Sequence, residues 1–270
     1  MSNKLEVVLR GEAGKVDGYL EILLGTLTMT GMLLAYDIRK GEGLPGEDLL
    51  TLQLQLREAP LGHLGTADVP PVASTPEQDA KEEARAFWAM VRSESYLILD
   101  TETTGLDDGE ICQIAVIDDR GKILMYEYVQ TVRPIPPEAT RIHGITNEMV
   151  RGARLWAEVS HDLKKLLTGK NVVIYNAVYD RKMMHKSAEI AGLPKVDWKE
   201  FVYFWCAMET FAVVYGDWNA YRGNFKWQKL SSAAAYFHAT AAAQHDALGD
   251  CMTTLAVVEG IKTLTEEAFN

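Results

Sequence analysis

Tyr96-Leu-Ile-Leu-Asp100-Thr-Glu102-Thr103-Thr104-Gly105-Leu106 decides how the rest of the chain is read. Tyr96 to Asp100 is a short apolar run that ends on an acid, the pattern of a buried strand reaching a loop. Residues i and i+2 of a strand point to the same side, so Asp100 and Glu102 share a face. Two carboxylates held together away from water are costly unless a positive charge lies between them. A divalent cation with oxygen ligands, such as Mg²⁺, meets that need and keeps positions open for water and phosphate. A pair of turn-capping acids at a strand end gives the same local pattern, so the stretch alone leaves both readings open.

Working outward, Ile111 to Ile117 and Ile123 to Val132 read as two further strands, with Asp119, Arg120 and Gly121 as the turn between them. Val159 to Leu167 has helical spacing, Val172 to Tyr175 is another short buried strand, and Val178 to Ala191 is a helix ended by Gly192 and Pro194. Upstream, Pro76 to Arg92 is helical, with Thr75 as N-cap and Pro76 at the first helical position. From about Phe201 the chain reads as helices with one aromatic-rich loop. Three strands followed by alternating helix and strand predict an α/β domain with a mixed sheet.

Before it, Pro60 to Pro76 holds four of the nine prolines and reads as a linker. Leu50, Leu52, Leu54 and Leu56 alternate with polar residues in the manner of a half-buried strand, and Leu5 to Leu9 and Tyr19 to Asp37 are rich in branched residues. The expected division is therefore a small β-rich module over 1–59, a linker over 60–76 and the α/β domain over 77–270.

The 270 residues suffice for one large domain and a small one, and 47 % hydrophobic and 24 % charged residues are ordinary for a globular chain. Apolar runs break well short of the roughly 20 residues of a membrane span, and no signal peptide opens the chain, so no membrane association and a cytoplasmic location are expected. Cys112, Cys206 and Cys251 are too scattered for a disulfide framework or a zinc site and read as buried free thiols. The net charge of −11 argues at first sight against a nucleic-acid binder. That objection weakens where carboxylates hold divalent cations, because the metals then supply the local positive charge.

Two more acidic elements follow. In Asn176-Ala-Val-Tyr-Asp180, Asn176 and Asp180 share a face if the helix starts near Asn176, although Asn176 also suits an N-cap. In His245-Asp-Ala-Leu-Gly-Asp250, a spacing of five puts two helical residues about 140° apart, which is poor for one site. The geometry improves if His245 lies on the loop before the helix and Asp250 projects from its second turn. An imidazole near solvent is then suited to taking a proton from water. Strand ends and helix starts of an α/β sheet gather at one edge, so these elements are expected to converge.

Together, Leu97 to Leu106, Asn176 to Asp180 and His245 to Asp250, with Ile142-His143-Gly-Ile-Thr146 as a further motif, resemble the DEDDh (DnaQ-like) 3′–5′ exonucleases, which include the proofreading epsilon subunit of bacterial DNA polymerase III. The resemblance covers roughly residues 96–262 and extends to phage-associated members. It implies an RNase H-like mixed five-stranded sheet flanked by helices. It implies two divalent ions, Mg²⁺ or Mn²⁺, held by Asp100, Glu102, Asp180 and Asp250, with His245 deprotonating the attacking water. It also implies contacts of Thr103, Leu106, Asn176 and His143 with the substrate, His143 having in addition a structural claim within its own turn. The expected partner is a nucleic acid with a free 3′ end, DNA favoured over RNA. An exoribonuclease carries the same five residues, and an inert binding or scaffold module keeps the same fold.

Trp218, Tyr221, Phe225 and Trp227 are interleaved with Arg222, Lys226 and Lys229, a composition suited either to stacking on unpaired bases or to pinning a loop into the core. Residues 1–59, with the strand Leu50 to Leu56 as a free edge, are expected to serve a protein partner or self-association.

Overall fold

The structure is a computed structural model that describes residues 3–12, 33–42, 47–56, 74–239 and 245–269. The chain divides into two compact units, Met1–Pro71 and Val72–Asn270. The first holds an antiparallel sheet of β1 (Asn3–Glu12), β2 (Leu33–Glu42) and β3 (Glu47–Leu56) in the order β1-β3-β2. The expected free edge at Leu50 to Leu56 is corrected by this order. That strand is central, with both its hydrogen-bonding edges used by its neighbours. Residues 19–32, within the stretch Tyr19 to Asp37, and the expected linker up to residue 73 lie outside the described residues.

The second unit opens with α1 (Pro76–Ser93). Thr75 Oγ1 accepts from the Gln78 amide at 3.2 Å, while the Gln78 side chain accepts from the Thr75 amide at 2.9 Å. This capping box satisfies two donors that a helix start leaves free. Ala84, Phe87, Met90 and Val91 form its buried stripe.

Next come β4 (Tyr96–Thr103), β5 (Ile111–Asp118), β6 (Ile123–Gln130), the short helices α2 (Pro137–His143) and α3 (Asn147–Val150), and the two-residue β7 (Arg154–Leu155). Then follow α4 (Trp156–Leu167), β8 (Asn171–Ile174), α5 (Ala177–Ile190), β9 (Tyr203–Cys206) and α6 (Ala207–Tyr215). A hairpin of β10 (Trp218–Asn219) and β11 (Asn224–Phe225) leads into α7 (Leu230–Tyr236) and α8 (Ala247–Lys262). The sheet order is β7-β6-β5-β4-β8-β9. Strands β4, β5 and β6 pair antiparallel, whereas β4–β8, β8–β9 and β6–β7 are parallel. The sheet is thus the expected mixed one, widened to six strands by β7.

The expectation of helices and one loop after Phe201 needs correction. Tyr203–Cys206 is a parallel edge strand, and the aromatic loop is a hairpin. Four residues are too few to show a period of two, and β9 takes its conformation from its neighbour β8.

The sheet separates two cores. Ile98, Ala115, Ile117 and Val173 pack with α1, α6 and α8 on one side, and Leu97, Leu99, Ile114 and Val172 pack with α4 and α5 on the other. β5 is buried throughout except at Asp118, which suits a strand covered on both faces. Fully burying a side chain such as Phe87, Phe211 or Ile98 contributes about 1.5–3 kcal/mol. The three thiols are free, and Cys206 is half-buried rather than buried.

Candidate nuclease active site

The strand β4 delivers side chains to both faces of the sheet at one edge. Ile98 lies in the core beneath α8, so the even-numbered Asp100 and Glu102 face α8, while Thr101 and Thr103 face α5. The register of β4 against β5 slips here, with Glu102 opposite Gln113 and Thr103 opposite Ile111. Cys112 is left as the extra residue of a bulge, and its thiol donates to the Glu102 carbonyl at 3.3 Å. Bulges of this kind re-aim a strand end beside a site.

Asp180 arrives from the first turn of α5 and is buried. Its Oδ1 accepts from Thr101 Oγ1 at 2.7 Å. Burial raises its pKa to about 7, against the hydrogen bonds from Thr101 and the nearby backbone amides, and Asp250 adds to the rise. Asn176 occupies the N-cap position of α5 without a capping side-chain bond, and its backbone is left-handed at φ 88°. Non-glycine residues in that region are uncommon and cluster at functional sites.

Asp250 sits in the first turn of α8, not the second as expected, because Asp246 is the N-cap and the helix begins at Ala247. His245 lies just outside it, exposed, with a left-handed φ of 60°. Glu102, His245 and Asp250 each offer a ligand atom, and these atoms all lie within 4.8 Å of one another. Two like charges at that separation repel by roughly 3 kcal/mol at the effective dielectric of a protein. Accordingly Glu102 is pushed up to about 8, first by burial and then by Asp250 and Asp180. Asp100 is raised well above the carboxylate range by burial, then by Asp180, Asp250 and Glu102. Asp250 is also raised by burial, with His245 opposing. Four crowded carboxylates that resist ionisation, with an imidazole beside them, form an oxygen-rich donor set suited to hard divalent cations.

Thr103 and Leu106 frame the mouth. Thr103 Oγ1 and Tyr179 Oη are hydrogen-bonded at 2.5 Å, and both lie within reach of the Gly105 carbonyl, at 3.2 and 3.3 Å, which accepts from the hydroxyl whose proton is not used between the two. Leu106 is 76 % exposed at the loop tip. The loop closes back on itself at Gly109, where a Cβ would collide with the Gly105 carbonyl oxygen. His143 is half-buried at the end of α2, and its Nδ1 accepts from the Ile145 amide at 3.0 Å. Burial lowers its pKa against a hydrogen bond to the Thr103 backbone. The structure therefore brings Asp100, Glu102, Asp180, His245 and Asp250 to one edge, with Thr103, Asn176 and the Leu106 loop around them. His143 stands behind them, engaged with its own turn.

Sequence reasoning missed Thr101, Tyr179 and a group that seats α8. Asp246 Oδ2 accepts from the Gly249 amide at 3.1 Å, and its Oδ1 accepts from Gln113 Nε2 at 3.1 Å. Gln113, 1 % exposed, also accepts from the Ala247 amide at 2.9 Å. An Asp immediately before a helix and a Gln inside an apolar strand were the available signals.

A cluster of carboxylates and one exposed imidazole at the edge of a mixed α/β sheet defines a hydrolase site of the nuclease type. Residues 97–258 match the family model described as "Exonuclease" (RNase_T). The chain is 39 % identical over 172 residues to the uncharacterized exonuclease CP81 of Escherichia phage 186, an alignment covering 61 % of this chain and 87 % of that protein. It is 31 % identical over 111 residues to the DNA polymerase III subunit epsilon of Rickettsia prowazekii (strain Madrid E), covering 38 % of this chain and 48 % of the other, so it spans about half of that relative. Among solved structures it is similar to Exonuclease X in complex with 5′ overhanging duplex DNA, with 27 % identity, a TM-score of 0.46, and 64 % of this chain and 96 % of that one covered. The chain belongs to the DnaQ-like 3′–5′ exonuclease family. No helix among the described residues is long and apolar enough to cross a membrane.

Proposed function

We propose that this protein hydrolyses the terminal phosphodiester at the 3′ end of single-stranded or frayed DNA with the help of two divalent cations, releasing nucleoside 5′-monophosphates. The convergence of Asp100, Glu102, Asp180 and Asp250 with the exposed His245 carries this reading. Asp100, Glu102 and Asp250 are the candidate ligands of one cation, and Asp100 and Asp180 of the second. Mg²⁺ or Mn²⁺ bound there supplies the positive charge that the ionised carboxylates and the reacting phosphate require.

The chain's own groups do the rest. His245, exposed and unencumbered by the helix, takes the proton of the attacking water and returns it to solvent. The water oxygen bonds to phosphorus, the bond to the 3′ oxygen of the preceding nucleotide breaks, and that oxygen takes a proton from solvent water and leaves as a hydroxyl. Thr103 and Leu106 hold the terminal nucleotide, the first by its hydroxyl and the second by its exposed apolar side chain. Asn176, beside Asp180, lines the opposite wall. His143 holds the turn that follows α2. The preference for DNA rests on the likeness to epsilon subunits. The N-terminal sheet serves protein partners in this reading, through the outer edges of β1 and β2.

The test is a gel assay on 5′-labelled single-stranded DNA and RNA of matched sequence, with Mg²⁺, Mn²⁺ or EDTA. A metal-dependent ladder shortening from the 3′ end, faster on DNA, is expected. Cleavage that persists in EDTA, or no cleavage by folded protein, defeats the reading.

A further inference from the structure

The hairpin β10–β11 splits its aromatics into two sets. Phe225 is buried, and Trp218 packs on it edge-on with ring centroids 4.9 Å apart. These two pin the hairpin to the domain. Tyr221, at the tip, is 97 % exposed and Trp227 is 59 % exposed. Neither contributes to the core. From Trp218 to Leu230 the sequence carries Arg222, Lys226 and Lys229 and no acid, within a chain of net charge −11. Lys226 pairs with Asp217 at 2.9 Å, whereas Arg222 and Lys229 are exposed.

The segment after the hairpin is tied to the catalytic edge, because Tyr175 at the end of β8 donates its hydroxyl to the Gln228 carbonyl at 2.9 Å. Trp227 and Lys229 thereby line the same cleft, of about 560 Å³, as Asn176, His245 and Asp250. Trp227 also borders a second cavity of about 490 Å³, lined by Arg181, Trp205 and Asn224 among others.

We infer that the hairpin and the two cavities form a track for the unpaired part of the substrate strand upstream of the cleaved bond. This rests on the exonuclease reading above and extends it. Trp227 stands where a strand leaving His245 and Asp250 must pass, and its exposed ring offers a face to a base. Lys229 and Arg222 meet phosphates, and Arg181, in the wall of the second cavity, meets one beyond it. Tyr221 adds a second stacking surface at the tip. Exposed rings alternating with exposed cations suit a single strand, because every base has a face to stack while the charges follow the backbone. A fully paired duplex shields its base faces, so the track selects single-stranded ends.

The test measures binding apart from cleavage. Fluorescence anisotropy of 5′-labelled dT12 and of a blunt 12-base-pair duplex is recorded with the full-length protein in Ca²⁺, alongside cleavage in Mg²⁺. Tyr221→Ala and Trp227→Ala each weaken dT12 binding roughly tenfold, in line with the loss of one stacked base, and change duplex binding far less. Arg222→Ala lowers the salt dependence of dT12 binding by about one ion. Because Tyr221 is almost wholly exposed, its variant folds even if Trp227→Ala does not. Unchanged dT12 binding in Tyr221→Ala and Trp227→Ala, or no dT12 binding by the wild type, overturns the track. Tyr221-dependent binding without any cleavage leaves the track standing and defeats the exonuclease reading instead.

Discussion

Tyr126 on β6 donates its hydroxyl to Oδ1 of Asp246, 2.7 Å away, and so joins the outer sheet to the residue that caps α8. Burial and this carboxylate push the phenol up to about 12, so it remains a donor across the working range of pH. Gln113 completes the arrangement by bonding Asp246 and the first amide of α8 together. The consequence is that the position of Asp250, one turn into the helix, is set from two strands rather than by the helix alone. Tyr126→Phe removes two hydrogen bonds, the one donated to Asp246 and the one accepted from Gln113 Nε2 at 3.2 Å, each worth about 1 kcal/mol, and is expected to lower Tm by roughly 4–8 °C. It is also expected to lower kcat several-fold with little change in KM, since small displacements of reacting groups are expensive. Calorimetry and steady-state kinetics on one preparation decide it, and an unchanged kcat removes Asp246 from the positioning scheme.

Neutralising one acid of the cluster should separate activity from stability. Asp100→Asn and Asp250→Asn are each expected to abolish detectable cleavage, because the site loses an anionic ligand. In EDTA the same variants should melt at or above the wild-type temperature, because Asp250 repels Glu102 and Asp180, and the carboxyl of Asp100 is opposed by burial and by Asp180, Asp250 and Glu102. Measurable turnover by either variant in Mg²⁺ would contradict the ligand assignment, and a large drop in Tm would show that the residue holds the fold instead.

Raised carboxylate pKa values also fix a direction for the pH dependence of metal-free stability. Glu102 near 8 and Asp180 near 7 keep protons that the unfolded chain releases at about 4. The folded state binds more protons than the unfolded state in that interval, so stability falls as pH rises through it. His143 and His185, both lowered, work in the opposite sense below about 6.5. The clean window is therefore pH 6.5 to 8, where Tm in EDTA should decline. Saturating Mg²⁺ should reduce or reverse the decline, since the cation binds the ionised form. A Tm in EDTA that climbs across this window would mean the carboxylates are not crowded as described.

The role of His245 is tested by removing its ring. His245→Ala should reduce kcat by a factor of about 10² to 10⁴, the usual contribution of a general base. An unchanged rate at pH 7 and 8 would assign proton removal to another group.

The parts of this site that lay in one local stretch were legible from the residues. The apolar run ending in Asp100 and Glu102 announces a buried strand with two acids on one face, and the structure puts both on the side of β4 that faces α8. Asp180 and His245 were locatable because each borders a helix start marked by turn-forming residues. What stayed hidden depended on contacts between distant segments. Thr101 bonds to a residue 79 positions away, and Gln113 to one 133 away. Neither partner leaves a trace in the spacing around it. β9 was hidden for a related reason, since four residues acquire strand conformation only by lying beside β8. The aromatic hairpin was visible as a composition, but only burial could divide Trp218 and Phe225 from Tyr221 and Trp227.

The loop that carries Leu106 depends on a close approach of backbone to backbone. Gly109 lies against Gly105 so tightly that any Cβ there meets the Gly105 carbonyl oxygen. That carbonyl lies within hydrogen-bond reach of Thr103 and Tyr179, the paired hydroxyls at the mouth of the site, and accepts from one of them. Gly109→Ala must push the carbonyl away from this hydroxyl pair or open the loop. The neighbouring bonds between Thr104 and Glu110 resist opening: the Thr104 amide donates to the Glu110 carbonyl at 2.9 Å, and the Glu110 amide to Thr104 Oγ1 at 3.0 Å. The strain therefore falls on the Gly105–Leu106 segment. The carboxylates sit on β4 and the helices and do not move with it. KM for a short single-stranded oligonucleotide should rise roughly tenfold, the equivalent of about 1.4 kcal/mol, while kcat at saturation changes little. Steady-state kinetics on a labelled hexanucleotide separate the two terms. A fall in kcat at unchanged KM would show that the loop shapes the reacting site itself and not the seat of the terminal nucleotide.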